Sequence, residues 1–208
     1  MTKPVCSQAV LVRRRNLKND YHSLIFEPFA PSSEPRPGQF LHIKLPGSTV
    51  YFRRAFSVAA VPDKSRVEII LKVFGRGSAL MSRLRPGDAV DILGPLGNGF
   101  KEPPRTTSPL IVAGGVGFPP LLFLAARMVA GGFDPKLIHF FYGGRTTADI
   151  IQRSRIKKLG VQFHAVTEDG SFGRRGAGHG GGRGLGESKS KQKIPPVRLR
   201  SGRHAQGC

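Results

Sequence analysis

A small antiparallel barrel of about six strands, followed by an incomplete parallel α/β domain, is the fold class that this sequence of 208 residues predicts. Three observations predict it. Up to about residue 96 the chain breaks into short alternating runs separated by Gly, Pro, Asn and Asp turns, with room for one brief helix. A proline-rich stretch then interrupts the pattern at Pro103, Pro104 and Pro109. Beyond it comes a continuous apolar run, Leu110-Ile-Val-Ala113, that opens a β-α-β-α-β spacing.

Taken in order, residues 5–14 and 22–27 read as strands joined by the polar turn Asn16-Leu-Lys-Asn-Asp20. Residues 28–37 carry four prolines and form a loop. Leu41, Ile43 and Leu45 alternate with His42 and Lys44, as a half-buried strand requires. A strand around Arg54, an apolar strand over 67–73 and one over 89–93 complete the barrel, with turns such as Pro62-Asp63 and Pro86-Gly87-Asp88 between them. After the linker, the run from Leu110 is expected to be buried on both faces of a parallel sheet. Pro120 opens a helix that stops at Gly131-Gly132. Residues 136–142 form the next strand, 148–159 the next helix and 161–167 a third strand. The resulting division is a barrel at 1–102, a linker at 103–109, a partial α/β domain at 110–173 and a disordered basic tail at 174–208.

The formal net charge is +20, a balance that ordinarily points to nucleic acid or anionic lipid. Nine Lys or Arg against one acid, Glu187, stand in residues 174–208, so much of that signal belongs to the tail. Two cysteines, Cys6 and Cys208, at opposite ends fit neither a disulfide framework nor a zinc site, and a reducing cytoplasm is the expected location. The N-terminus lacks the apolar core of a signal peptide. Residues 110–132, the apolar candidate for a membrane span, contain Pro119, Pro120 and Arg127 and begin as a strand, so no membrane partner is expected. No Ser-His-Asp or Cys-His arrangement is evident, and the histidines form no ligand cluster.

Chemistry concentrates in Arg54-Ala-Phe-Ser57. On an extended strand these side chains alternate between faces, presenting a cation suited to phosphate, an aromatic ring and a hydroxyl. Alone, the run is weak and reads first as an ordinary amphipathic strand, with Phe56 in the core and Arg54 in solvent. The turn Gly75-Arg-Gly77-Ser78 adds a strand, Gly-rich turn and helix start whose backbone N–H groups favour phosphate. Gly94-Pro-Leu-Gly-Asn-Gly-Phe100 and Gly114-Gly-Val-Gly-Phe-Pro-Pro120 follow, the second another strand-turn-helix junction.

With Arg-x-Phe-Ser, Gly-x-Gly-Ser, Gly-Pro-Leu-Gly-Asn-Gly-Phe and Gly-Gly-Val-Gly-x-Pro-Pro in this order, the chain resembles the electron-transfer subunits of bacterial dihydroorotate dehydrogenase, within the ferredoxin reductase superfamily. The resemblance spans about residues 5–173. It implies a flavin-binding barrel with FAD held by Arg54, Ala55, Phe56, Ser57, Ile70, Leu71, Lys72, Gly77 and Ser78. It further implies NAD at Gly114, Gly115, Gly117 and Pro119, with added contacts from Arg145, Glu168 and Asp169 at the ends of the next two strands. Family members pass electrons from NADH through FAD and a 2Fe-2S cluster to a catalytic subunit that carries FMN. That cluster needs four thiolates, so its cysteines are absent here and with them the family's exit route for electrons.

Two readings of function remain at this stage. One is a flavin oxidoreductase subunit serving pyrimidine biosynthesis; the other is a protein whose basic tail binds nucleic acid electrostatically, which leaves the glycine and flavin motifs unexplained. The composition changes abruptly after Thr167-Glu-Asp-Gly-Ser-Phe-Gly173. Codons for parts of the tail can be chosen so that a shifted frame spells family-like segments, so the tail is expected to be an out-of-frame reading of a longer C-terminus.

Overall fold

The computed structural model describes residues 4–29, 31, 34–46 and 52–176; the tail expected to be disordered and out of frame lies outside the described residues from 177 onward. Six strands make the first unit: β1 (Val5–Asn16), β2 (Tyr21–Glu27), β3 (Phe40–Lys44), β4 (Arg54–Asp63), β5 (Arg66–Lys72) and β6 (Ala89–Leu96). They pair antiparallel and close in the order β1-β2-β5-β4-β3-β6. The alternation in the sequence decides which residues turn inward: Leu11, Leu24, Phe26, Leu41, Val58 and Ile69 are fully buried in the barrel. Helix α1 (Arg76–Arg83) adds Met81 to that core. Arg14 of β1 donates to the carbonyls of Ser82 and Leu84 at 3.1 and 3.2 Å, satisfying acceptors that the end of α1 leaves open.

The second unit is a parallel sheet in the order β10-β9-β8-β7, built from β7 (Leu110–Gly114), β8 (His139–Gly144), β9 (Gln162–Thr167) and β10 (Arg174–Arg175), with helices α2 (Phe118–Ala130) and α3 (Arg153–Lys158). Pro119 and Pro120 lie in the first turn of α2, where the missing N–H costs nothing. Phe118 stacks on Tyr142 with ring centroids 4.3 Å apart, which fixes the start of α2 against β8. Helix α2 is also the joint between the units. Its Leu122, Ala125 and Met128 pack into the core under the sheet, whereas Phe123 enters the barrel core and contributes about 1.5–3 kcal/mol by burial. Tyr21, Ala59 and Ile70 from the barrel join the sheet's core from the other side.

The barrel and the parallel α/β unit match the expected fold class, and four details differ. The run from Leu110 is not buried on both faces: Ile111 and Ala113 are buried, but Leu110 is 55% and Val112 66% exposed. The core that α2 and the barrel form with the sheet takes Ile111, Phe140 and Tyr142, so the alternate residues of β7 face away from it. On that open face His139 Nδ1 and His164 Nε2 stand 3.3 Å apart, a cross-strand pair the sequence did not disclose. The strand expected at 136 begins at His139, because Asp134 accepts from Lys136 N at 2.9 Å and caps a 3-10 turn over Pro135–Leu137.

The helix expected over 148–159 is divided into a 3-10 turn, Thr147–Asp149, and the six residues of α3, with Gln152 left-handed at φ 55° between them. Ile150 and Ile151 are both buried at the break, and the left-handed backbone of Gln152 cannot continue a right-handed helix. Finally, Arg174 and Arg175, assigned from composition to the tail, pair with Val166 and Thr167 as β10. Backbone pairing needs no apolar side chain, and Thr167 fastens the preceding turn by hydrogen bonds with the carbonyl and N–H of Phe172. No helix among the described residues is long and apolar enough to cross a membrane.

Candidate functional site

Strands β4 and β5 pair only from Val58↔Ile69 to Asp63↔Arg66. The other half of β4, Arg54 to Ser57, pairs with β3, while Ile70 to Lys72 of β5 pair with β2. The two strands therefore diverge, leaving a notch with residues 54–57 on one side and 70–72 on the other, and α1 starting directly after β5. Of the expected flavin residues, 54–57 and 70–72 edge this divergence, and Gly77 in the first turn of α1 lies against Arg54. Val58 points into the barrel core and Ala59 into the core shared with the α/β unit, so Ser57 and Ala55 continue the face of Ala59. Along it, Ala59 is buried, Ser57 half-buried and Ala55 exposed, a strip that emerges from beneath the joint.

On the opposite parity, Phe56 is half-buried against the barrel core and Arg54 is exposed. Arg54 folds back over α1. A Cβ built on Gly77 would stand 2.7 Å from Arg54 Nε, so the arginine side chain and the first turn of α1 sit together as one cationic cradle, and a side chain at 77 would push Arg54 aside. Ser78 is spent inside this turn: its Oγ accepts from Phe74 N and Gly75 N at 2.9 and 3.1 Å and donates to the Gly75 carbonyl at 3.0 Å. Its contribution is to hold the turn open at the helix start, where the macrodipole favours an anion. The side chains of Ile70 and Leu71 are buried, which leaves their backbone to face the notch. Lys72 sends its ammonium away to Asp149, 3.1 Å distant, and over the ring of Tyr21 at 4.9 Å.

The second set of expected residues lies where β7 and β8 end. Gly114 closes β7; Gly115, at φ 50°, turns the chain; Gly117 caps α2 with no atom within 4 Å of where its Cβ would be. Pro119 is buried behind them. This bare turn at the start of α2, at the carboxyl end of a parallel strand, is shaped for a dinucleotide phosphate. Arg145, exposed at the end of β8, and the turn after β9 flank it: Glu168 N donates to the Gly144 carbonyl at 3.1 Å and Asp169 N to the Arg145 carbonyl at 3.2 Å. The Asp169 carboxylate is occupied by Ser171, accepting from its Oγ at 2.7 Å and its N at 2.9 Å, and these bonds hold its carboxyl below the usual carboxylate range. Asp169 thus shapes the turn through its side chain and can reach a ligand through backbone.

Several polar residues at the joint between the two units escaped the sequence. Asp149, nearly buried, accepts from Lys72, from Asn19 Nδ2 and from the N–H groups of Arg145 and Thr146 at 3.1 and 3.2 Å. Burial opposes its charge, but the Lys72 ammonium and the two N–H groups outweigh that and hold the carboxyl below its ordinary value. A Cβ on Gly144 would meet Asp149 Cβ at 2.7 Å, so glycine is needed for this approach. Glu68, also buried, accepts from Ser23 at 2.7 Å and from Arg155 at 2.9 and 3.0 Å. Tyr21 is 1% exposed, its Oη finds no partner among the described residues, and burial followed by the nearby Asp149 charge pushes its pKa up to about 12. The spacing Thr146-x-x-Asp149 is a capping-box signature and marked Asp149 in principle; nothing local distinguishes Tyr21 or Glu68. Among the described residues no group of three or more His, Cys, Asp or Glu is placed to hold a metal ion.

Residues 8–100 match the family model of the oxidoreductase FAD-binding domain. The dihydroorotate dehydrogenase B (NAD(+)) electron transfer subunit of Shouchella clausii is 35% identical over 170 residues, which is 80% of this chain and 64% of that protein. The corresponding subunit of Enterococcus faecalis is 37% identical over 164 residues, 77% of this chain and 59% of that one. The chain thus spans less than two thirds of the length of these relatives. Among solved structures, an NADH-dependent reduced ferredoxin-NADP oxidoreductase superposes with a TM-score of 0.69 at 28% identity, covering 82% of this chain and 60% of that one. The flavohemoglobin of Malassezia yamatoensis shares the fold with a TM-score of 0.71 at 20% identity, over 82% of this chain and 48% of that one.

Proposed function

We propose that the chain belongs to the ferredoxin reductase-like family of FAD-binding oxidoreductases and is an electron-transfer flavoprotein that takes reducing equivalents from NADH and serves a dihydroorotate dehydrogenase partner carrying FMN. The observation that carries this reading is the cradle of Arg54 over Gly77 beside the β4–β5 notch. A cation and a helix start facing one point suit a pyrophosphate, and the open strip of Ala55 and Ser57 suits a flat ring at the joint between the units. The residues present therefore fit FAD. The bare turn Gly114–Gly117 fits a second dinucleotide, in the manner of an NAD site.

FAD, when bound, supplies the acceptance of two electrons and their release one at a time. The chain's own residues have simpler tasks. Arg54 and the N–H groups of α1 neutralise phosphate charge; Ser57 hydrogen-bonds the edge of the ring; the backbone of Ile70 to Lys72 lines the opposite wall of the notch. Gly115 and Gly117 let a second nucleotide approach the backbone at α2, and the turns at Arg145 and Glu168 flank its far end. No side-chain acid or base is required. The 208 residues hold two cysteines, Cys6 and Cys208, fewer than the four thiolates that a 2Fe-2S cluster takes.

Purification tests the reading directly. The protein is expected to be yellow, to release FAD rather than FMN on heating, and to lose its flavin absorbance on addition of NADH under exclusion of oxygen. A colourless protein that gains no flavin spectrum when titrated with FAD overturns it.

A further inference from the structure

We propose that Asp149 is a positioning residue that couples the flavin notch of the barrel to the nucleotide-binding turn of the α/β unit; this rests on the flavin reading above. One carboxylate, 7% exposed, takes donors from both units. Its Oδ1 accepts from Lys72 at 3.1 Å and from Asn19 Nδ2, while its Oδ2 accepts from Arg145 N and Thr146 N. Lys72 ends β5, the strand whose last three residues wall the notch. Arg145 and Thr146 begin the turn at the carboxyl end of β8, where a second nucleotide is expected. Any shift of the Lys72 backbone when a ring enters the notch is passed through a side chain boxed between Tyr21, Phe74 and Asp149 to the N–H groups that shape that turn. Asn19, at φ 54° in the β1–β2 turn, anchors the carboxylate from a third point.

The other buried link serves as a control. Glu68 and Arg155 also join the barrel to the α/β unit, but they connect the middle of β5 to α3 and touch neither candidate site. Both bridges should therefore stabilise the joint, and only the Asp149 bridge should transmit flavin binding.

The test is hydrogen exchange of the full chain with and without FAD, read on peptides covering 139–150. In the wild type, FAD is expected to slow exchange there by about tenfold, within the usual range of coupling between sites. Asp149→Asn keeps an acceptor for the backbone but loses the attraction for the Lys72 ammonium; it should bind FAD within about twofold of wild type yet lose the flavin-dependent slowing. Lys72→Met leaves the Arg145–Thr146 turn its carboxylate and must lose the same response, which covers a failure of Asp149→Asn to fold. Arg155→Met should lower overall stability and keep the response. Retention of the slowing in both Asp149→Asn and Lys72→Met, or its loss in Arg155→Met as well, overturns the assignment. A wild type that binds FAD without transmitting protection overturns this inference alone, whereas one that binds no FAD overturns the flavin reading on which it stands.

Discussion

The side chain of Arg54 lies against Gly77 so closely that a single Cβ there would stand 2.7 Å from Nε, with Cγ and Cδ at 3.3 and 3.4 Å. The contact joins the Arg-x-Phe-Ser strand to the Gly-x-Gly-Ser turn, two motifs separated by 17 residues, and sets the arginine side chain beside the start of α1.

Gly77→Ala should separate stability from binding. Alanine is worth up to about 1 kcal/mol over glycine in a helix, so the variant should melt at the same temperature or higher. Its methyl must displace Arg54, and FAD affinity should fall about ten- to a hundredfold, as for Arg54→Ala, which loses a charge-assisted contact of about 1.5–3 kcal/mol. Flavin titration followed by fluorescence checks both. Undiminished affinity in Gly77→Ala together with Arg54→Ala removes the cradle from the binding site.

Neighbouring residues of β7 should differ sharply in cost. Ile111 is buried in the core beneath the sheet, and Ile111→Ala should lose about 2–5 kcal/mol in urea unfolding. Val112, 66% exposed on the open face, should tolerate Val112→Thr within about 0.5 kcal/mol. A large loss for Val112→Thr would mean that its face is covered in solution.

What the sequence disclosed and what it hid divide along physical lines. The barrel strands were legible because alternation is written residue by residue, as in Leu41, Ile43 and their polar neighbours. Glycine turns were legible because backbone freedom, at Gly115 with φ 50°, and close approach, at Gly77, each favour that residue. Two-faced burial of the run from Leu110 was a wrong inference from an honest pattern, since four apolar residues in a row look the same whether one face or two is covered. The polar joint was invisible. Asn19, Lys72 and Asp149 stand far apart in sequence, and no local signal says that Glu68, in the middle of an apolar strand, will meet Arg155. Lys72, which the resemblance assigns to the flavin, has its ammonium paired with Asp149, a contact that nothing in the sequence announces.

Tyr21 and Tyr142 offer a paired test of buried hydroxyls. Tyr142 donates to the Asp149 carbonyl at 3.0 Å, whereas Tyr21 Oη has no partner among the described residues. Tyr142→Phe should cost about 0.5–1.5 kcal/mol, and Tyr21→Phe should be neutral or stabilising by up to about 1 kcal/mol, because it removes a desolvated group without breaking a bond. Urea denaturation of the two variants side by side decides it; a clear loss in Tyr21→Phe would show that the hydroxyl is satisfied in solution.

Acid should loosen the joint through Asp149. Its carboxyl is held below the ordinary value: burial acts against the charge, and the hydrogen bond from Lys72 and the N–H groups of Thr146 and Arg145 more than offset it. A group whose pKa is lowered on folding adds stability that is fully present above its unfolded value, about 3.9, and is lost as pH falls through the lower folded value. Asp149→Asn cannot titrate and lacks that contribution at every pH. The difference in unfolding free energy between wild type and Asp149→Asn should therefore be constant from about pH 7 to 5 and shrink steadily below about pH 4. Asp169 is depressed as well, by Ser171, but it is fully exposed and present in both proteins, so its effect cancels in the comparison. A difference that stays constant down to pH 2, or that grows on acidification, would show that the Asp149 carboxylate is not charged against Lys72 in the folded protein.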